Sequence, residues 1–160
     1  MIVYRIVHKT LPDLLAGSGN EGRWCAAGRK VIYTSSSVSL CCLENLLRLG
    51  GSGFSSDFLT IFYEIPDDIK LEEVLVRRLK IDWRLKVNYS YCQGIGHEWI
   101  DKKEALVLKV PSAIIPDEFN YIIKTSSSDI TKLKVVDQKI FLPDERLDKI
   151  LKSVDVKKLL

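Results

Sequence analysis

Gly22-Arg23-Trp24-Cys25-Ala26-Ala27-Gly28-Arg29-Lys30-Val31-Ile32-Tyr33-Thr34-Ser35-Ser36-Ser37 is the stretch on which the reading of this chain turns. A loop of small residues passes into Arg29 to Thr34, whose β-branched and aromatic side chains read as a strand. Three serines follow, and any of them can accept the first free N–H groups of a helix. That helix is expected to run through Leu40, Leu43, Leu46 and Leu47 and to stop at Gly50-Gly51. Upstream, Gly17-Ser18-Gly19-Asn20-Glu21-Gly22 is a flexible loop. Its glycine spacing fits the dinucleotide fingerprint, but the loop does not join a strand end to a helix start, so a Rossmann reading is rejected.

Working outward, Ile2 to Val7 alternates loosely and predicts a strand, and Leu11 to Ala16, with Pro12 near its start, predicts a helical turn. Phe58 to Ile65 reads as a strand closed by Pro66, and Leu71 to Leu79 as a helix. Lys80 to Tyr91 is aromatic, basic and irregular, and Gly94-Ile95-Gly96 is expected to break it before a short helix from His97 to Lys103. Strands are expected at Ala105 to Val110, Asn120 to Thr125 and Leu133 to Val136, with an edge piece at Ile140-Phe141. A terminal helix is expected from Pro143 to Ser153, with Leu147, Ile150, Leu151 and Val154 on one face. Strands and helices mix without a βαβ rhythm, which predicts an α+β fold with small mixed sheets flanked by helices, in one domain over residues 1–160.

The 160 residues suffice for a sizeable core, and a 46% hydrophobic and 28% charged composition is that of a globular protein. A net charge of +3 does not by itself indicate nucleic-acid binding, and the basic run Arg77-Arg78 with Lys80 to Lys86 reads first as a solvated face. The first ten residues do not read as a signal peptide and no apolar run approaches a membrane span, so a cytoplasmic protein is expected. Cys25, Cys41, Cys42 and Cys92 contain no C-x-x-C pair and read as reduced thiols. His8 and His97 do not suggest a metal pair, and no metal or cofactor is expected.

Four residues could carry chemistry. Glu44 lies beside an apolar stripe. It either pairs with Arg48 at i,i+4, worth about 0.2–0.5 kcal/mol, or serves something cationic. Arg23 follows the glycine loop and is either a solvated loop arginine or a fork for a phosphate or carboxylate. Tyr33 is either a packing residue or a stacking surface for a planar ligand. Ser112, after Pro111, is either a turn serine or an exposed hydroxyl.

The stretch from Gly22 to Ser37, continued to Leu43-Glu44, resembles the core signature of the RES-domain family. Gly96-His97-Glu98-Trp99, Val110-Pro111-Ser112-Ala113-Ile114-Ile115-Pro116, Asn120-Tyr121, the opening Tyr4-Arg5-Ile6 and the closing Asp144-Glu145-Arg146-Leu147 resemble it too, in the right order. Two segments depart from the pattern. Cys25 stands where the family has asparagine, and Lys124-Thr125-Ser126-Ser127-Ser128 replaces an N-P-x-H-P segment.

The resemblance implies a fold similar to ADP-ribosyltransferase toxins and a toxin of a bacterial toxin–antitoxin pair. It also implies cleavage of the nicotinamide–ribose bond of NAD⁺, with phosphate as co-substrate, water or a protein as acceptor. The catalytic residues would be Glu44, Arg23, Tyr33 and Ser112, and the substrate contacts Arg23, Trp24, Tyr33, Ser36 and Ser112. The implied partner is a cognate Xre-type helix-turn-helix antitoxin in a hetero-oligomeric complex, without direct nucleic-acid or membrane binding. Two alternatives accompany this reading: a protein ADP-ribosyltransferase on the same NAD⁺ site, and a degenerate, catalytically weak RES domain acting as a binding and regulatory module, which the altered Lys124 to Ser128 segment would favour.

Overall fold

The computed structural model describes residues 1–11, 13–48, 54–102, 104–147 and 149. Seven strands join one sheet: β1 Ile2–His8, β2 Val31–Ser35, β3 Phe58–Glu64, β4 Leu71–Glu73, β5 Val107–Pro111, β6 Phe119–Lys124 and β7 Lys134–Ile140. Their order is β4-β5-β6-β2-β1-β3-β7, and every pair is antiparallel except β4 with β5. The α+β class is as expected, but the strands form a single mixed sheet instead of several small ones. A parallel pair needs a long crossover, and helix α2, Tyr89–Lys102, lies within it.

Alternation along the strands divides the core. Val3, Ile32, Ile61, Tyr63, Val107 and Ile123 pack on one face. Val31, Leu108, Val110 and Ile122 pack on the other, beneath Cys92, Trp99 and Ile100 of α2. Helix α1, Val38–Arg48, lies on this second face as well. Its Cys41, Cys42 and Leu46 pack against Ile6 and Tyr4, and Tyr4 is the register partner of Ser35 on β2. Each such side chain contributes roughly 1.5–3 kcal/mol on full burial. Both helices therefore stand over one face of the sheet.

Helix α1 starts as expected: Ser37 Oγ accepts from the Leu40 N–H at 3.1 Å, so the last of the three serines is the cap. The expected Gly50-Gly51 stop and Pro12 lie outside the described residues, as does most of the terminal helix, of which Glu145 to Leu147 are helical. Leu14 and Leu15 form a turn where a helical turn was expected.

Three further expectations are corrected. Leu71 to Leu79 is not a helix: Leu71–Glu73 pairs with Val107–Lys109, and a 3-10 turn follows at Val76–Arg78. Sheet pairing overrides the local preference there. The pieces expected at Leu133 to Val136 and at Ile140-Phe141 are one exposed edge strand, β7, which begins after the buried Leu133 and ends before the half-buried Phe141. Gly94-Ile95-Gly96 does not interrupt a helix but lies inside α2.

Gly96 has a packing reason to be in that helix. A Cβ built on it would lie 1.7 Å from the Trp24 carbonyl oxygen, so the loop backbone presses directly on the helix. Gly94 has nothing within 4 Å of the same position. Gly94→Ala is therefore expected to stabilise the protein by about 0.5–1 kcal/mol, and Gly96→Ala to destabilise it by at least about 1–3 kcal/mol. Urea denaturation of the two variants checks the pair, and equal effects would refute the close approach.

Candidate active site

The site is built where α1 faces the turn between β5 and β6. Ser112 follows the last residue of β5 and is 1% exposed. Its Oγ accepts from the N–H groups of Ile114 at 3.1 Å and Ile115 at 3.2 Å, so its own proton is directed to Glu44 Oε1, 3.2 Å away. The chain turns through Asp117, at φ 66°, and returns as β6. Asn120 Nδ2 then donates to the same Glu44 Oε1 at 2.6 Å. The hairpin thus closes on one carboxylate oxygen from both of its arms.

Burial raises the Glu44 carboxyl above the ordinary carboxylate range. The hydrogen bonds from Asn120 and Ser112 and the charge of Arg23 oppose that rise without cancelling it. The i,i+4 alternative does not form: Arg48 Nη2 donates to Asn45 Oδ1 at 2.7 Å, and among the described residues Glu44 has no ion pair.

Arg23 is not a free loop arginine. Its Nη1 donates to the Trp83 carbonyl at 2.8 Å, and its guanidinium lies 4.6 Å from the centre of the Tyr89 ring and 5.6 Å from that of Trp83. The loop that carries it is held by one stretch of α2. Gln93 Nε2 donates to the Gly22 carbonyl at 3.0 Å, Gly96 admits the Trp24 backbone, and His97 Nε2 accepts from the Ala26 N–H at 3.3 Å. That contact gives Gly96-His97 its structural meaning, while Trp99 of the same motif is a core residue, 1% exposed.

The remaining expected residues take other places. Trp24 is 3% exposed and packs on Trp83 with ring centres 5.8 Å apart, which leaves it little surface for a ligand. Tyr33 puts its hydroxyl beneath Gly22, where a Cβ would come within 2.6 Å of it. That oxygen is buried with no hydrogen-bond partner among the described residues, and burial pushes the phenol far above its ordinary range. Only the exposed part of the Tyr33 ring is available for stacking. Ser36 is half-buried in the turn between β2 and α1, with its N–H on the Phe119 carbonyl at 3.0 Å. The structure therefore joins Glu44 and Ser112 by a hydrogen bond, with the Arg23 charge opposing the rise of the Glu44 carboxyl and Tyr33 under the Arg23 loop. Sequence reasoning missed Asn120, Trp83 and Tyr89, because their roles depend on pairings 60 to 76 residues away.

The altered segment from Lys124 to Ser128 lies at the other end of β6. Lys124 pairs with Val31, whereas Asn120 pairs with Ser35, a separation of four residues or about 13 Å along the strand. Lys124 Nζ donates to the Ile100 carbonyl at 3.4 Å beside Trp99, and it lines a hollow of about 240 Å³ with Arg29, Lys30 and Ser126. An apolar hollow of about 380 Å³ lies between α1 and Phe141. Neither hollow is lined by Glu44, Arg23 or Ser112. Cys25, the other departure, is fully buried beside Tyr33, and burial raises its thiol. Among the described residues no cluster of three His, Cys, Asp or Glu side chains could hold a metal, and no helix is long and apolar enough to cross a membrane.

Fold and site together define an α+β domain with an arginine, a glutamate and a serine gathered on one face of a mixed sheet. The RES domain model matches residues 2–147, and the chain belongs to that family. It is 33% identical over 157 residues to "Toxin Res" of Photorhabdus laumondii, covering 95% of this chain and 100% of the relative. It is 28% identical over 140 residues to the "Prs ADP-ribosylating toxin" of a Sphingobium species, covering 84% and 87%. Among solved structures, a chain of the M. tuberculosis MbcT-MbcA toxin-antitoxin complex superposes with a TM-score of 0.71 at 18% identity, covering 96% of this chain and 89% of that one.

The raised carboxyl makes a prediction about stability. A folded-state value above the unfolded one means that the folded protein holds the proton more tightly. The cost of Glu44 is therefore absent below about pH 4 and grows as pH rises through the raised value. Glu44→Gln keeps an oxygen for Ser112 and Asn120 and removes that cost. It is expected to melt above the wild type at pH 7 and level with it at pH 4, by thermal melts followed with circular dichroism. A lower melting temperature at pH 7 would contradict the assignment.

Proposed function

We propose that this chain is a toxin that cleaves the nicotinamide–ribose bond of NAD⁺. The observation that carries the reading is Glu44: a half-buried carboxylate, oriented by two donors on one oxygen and within reach of the Arg23 charge. Nicotinamide leaves from an oxocarbenium-like ribose, and a fixed carboxylate lowers the energy of that developing cation. Glu44 is assigned this role together with contact to the ribose hydroxyls. Arg23 is assigned the pyrophosphate, or the attacking phosphate, and Ser112 holds Glu44 from behind. Membership of the RES family and the toxin names of the relatives support the reading, as does the Sphingobium relative's name for ADP-ribosyl chemistry.

The partner assigned to the chain is an antitoxin, supported by the toxin–antitoxin assembly of the structural neighbour. We assign it the Xre helix-turn-helix type, acting on a cytoplasmic toxin. A second acceptor class, a target protein, is favoured by the 28% identical ADP-ribosylating toxin. The binding-module alternative loses its main support, because the altered segment lies about 13 Å along β6 from Asn120.

Proton NMR of the purified protein with NAD⁺, with and without inorganic phosphate, tests the proposal. Phosphate-dependent release of nicotinamide identifies a phosphorylase, and phosphate-independent release a hydrolase. Glu44→Gln and Arg23→Ala are each expected to lower turnover by roughly 10²–10³-fold while remaining folded. NAD⁺ intact in both tubes would overturn cleavage of the free dinucleotide. Mass spectrometry of co-incubated cell protein would then separate an ADP-ribosyltransferase from a binding module.

A further inference from the structure

We propose that Asn120 is a positioning residue of this site: it ties Glu44 Oε1 into the protein and so makes Oε2 the oxygen that meets the substrate. The assignment of substrate rests on the reading above; the positioning itself does not. Asn120 is the register partner of Ser35 on β2 and of Val110 on β5, so its backbone is held between two strands. Ser35 Oγ donates to Asn120 Oδ1 at 2.7 Å. With the serine donating, the amide oxygen faces Ser35 and Nδ2 faces Glu44 Oε1 at 2.6 Å, and it is the carboxylate that sets this orientation. With the amide reversed, its oxygen would meet an ionised carboxylate oxygen at contact distance, two acceptors with no proton between them.

Ser112 brings a second proton to the same oxygen at 3.2 Å, its own lone pairs being taken by the Ile114 and Ile115 N–H groups. Among the described residues no hydrogen bond reaches Oε2. The carboxylate is therefore asymmetric: one oxygen is saturated by the hairpin, and the other carries the accessible lone pairs. One further charge bears on it, that of Arg23, which opposes the rise. Cys41 lies on the same helix, but burial pushes its thiol up to about 12, so it faces the carboxylate as a neutral group. Ser112 is oriented within its own turn, whereas Asn120 is tied through its side chain to a neighbouring strand, the chain Ser35–Asn120–Glu44 running from β2 through β6 to α1.

The test uses two variants and two readouts. Asn120→Asp is nearly isosteric but replaces the donor with a second carboxyl, which can bridge to Glu44 only by sharing a proton. Ser35→Ala leaves Asn120 in place and frees its amide to turn. The first readout is the titration of the Glu44 side-chain carboxyl by ¹³C NMR in the substrate-free protein, assigned by comparison with Glu44→Gln. It is expected to move upward in Asn120→Asp and by less in Ser35→Ala. The second is NAD⁺ turnover against pH. The acid limb is expected to move up in the same order, with kcat at neutral pH falling by up to about 10²-fold while KM holds. Folded variants whose Glu44 titration matches the wild type would overturn the proposal, whatever the activity. If Asn120→Asp does not fold, Ser35→Ala decides it alone. A wild type inert toward NAD⁺ would overturn the proposed function and leave the carboxyl titration to decide the positioning.

Discussion

Withdrawing the Glu44 carboxyl from water costs free energy that only directed donors return, and those donors come from residues 68 and 76 positions further along the chain. The sheet order follows the same need. Placing β6 between β5 and β2 lets one hairpin offer Ser112 from its first arm and Asn120 from its second. The cap on α1 and the Ser35–Asn120 pair fix the helix and the hairpin against β2. Ser37 Oγ also donates to Glu118 Oε2 at 3.1 Å, joining the helix start to the hairpin turn a second time. The carboxylate thus depends on pairings that exist only when the sheet is complete.

The arginine is placed by an independent construction. Its loop is pressed on α2 by Gln93, Gly96 and His97, and its guanidinium is taken up by the turn that enters the same helix, through Trp83 and Tyr89. Helix α2 in turn is fixed to the sheet by Trp99, whose Nε1 donates to the Ala105 carbonyl at 3.1 Å. One helix carries the glutamate and the other holds the loop that carries the arginine, and both stand on the same face of the sheet.

Local patterns revealed what local forces decide. β1, β2, β3, β5 and β6 were legible within two residues at either end, because alternation and β-branching reflect faces that are buried in the fold. A serine cap for α1 was legible from the run Ser35-Ser36-Ser37, but not which serine supplies it, and spacing alone left Glu44 between a pair with Arg48 and a buried site. Leu71–Glu73 was not, since three residues become a strand only when β5 is there to pair with them. The glycines of α2 misled because a glycine that breaks an isolated helix and one that admits a neighbouring backbone look alike in sequence. Of the site, Arg23, Glu44 and Ser112 were found through the family resemblance, whereas Asn120 lay inside a quoted motif with no local sign of its role. Its amide acquires meaning only from a serine on β2 and a carboxylate on α1.

The same geometry bears on the choice of acceptor. On the proposed reading, a carboxylate that stabilises the ribosyl cation acts before any nucleophile is selected, so Glu44 and its donors would serve phosphate, water and protein acceptors alike. The choice falls to whatever reaches the opposite side of the ribose, and that is governed by the rim of the site. The segment that supplies Trp83 and Tyr89 to Arg23 also exposes Ile81, Leu85 and Val87 beside Arg84 and Lys86. Changes there would alter access while leaving the carboxylate network intact.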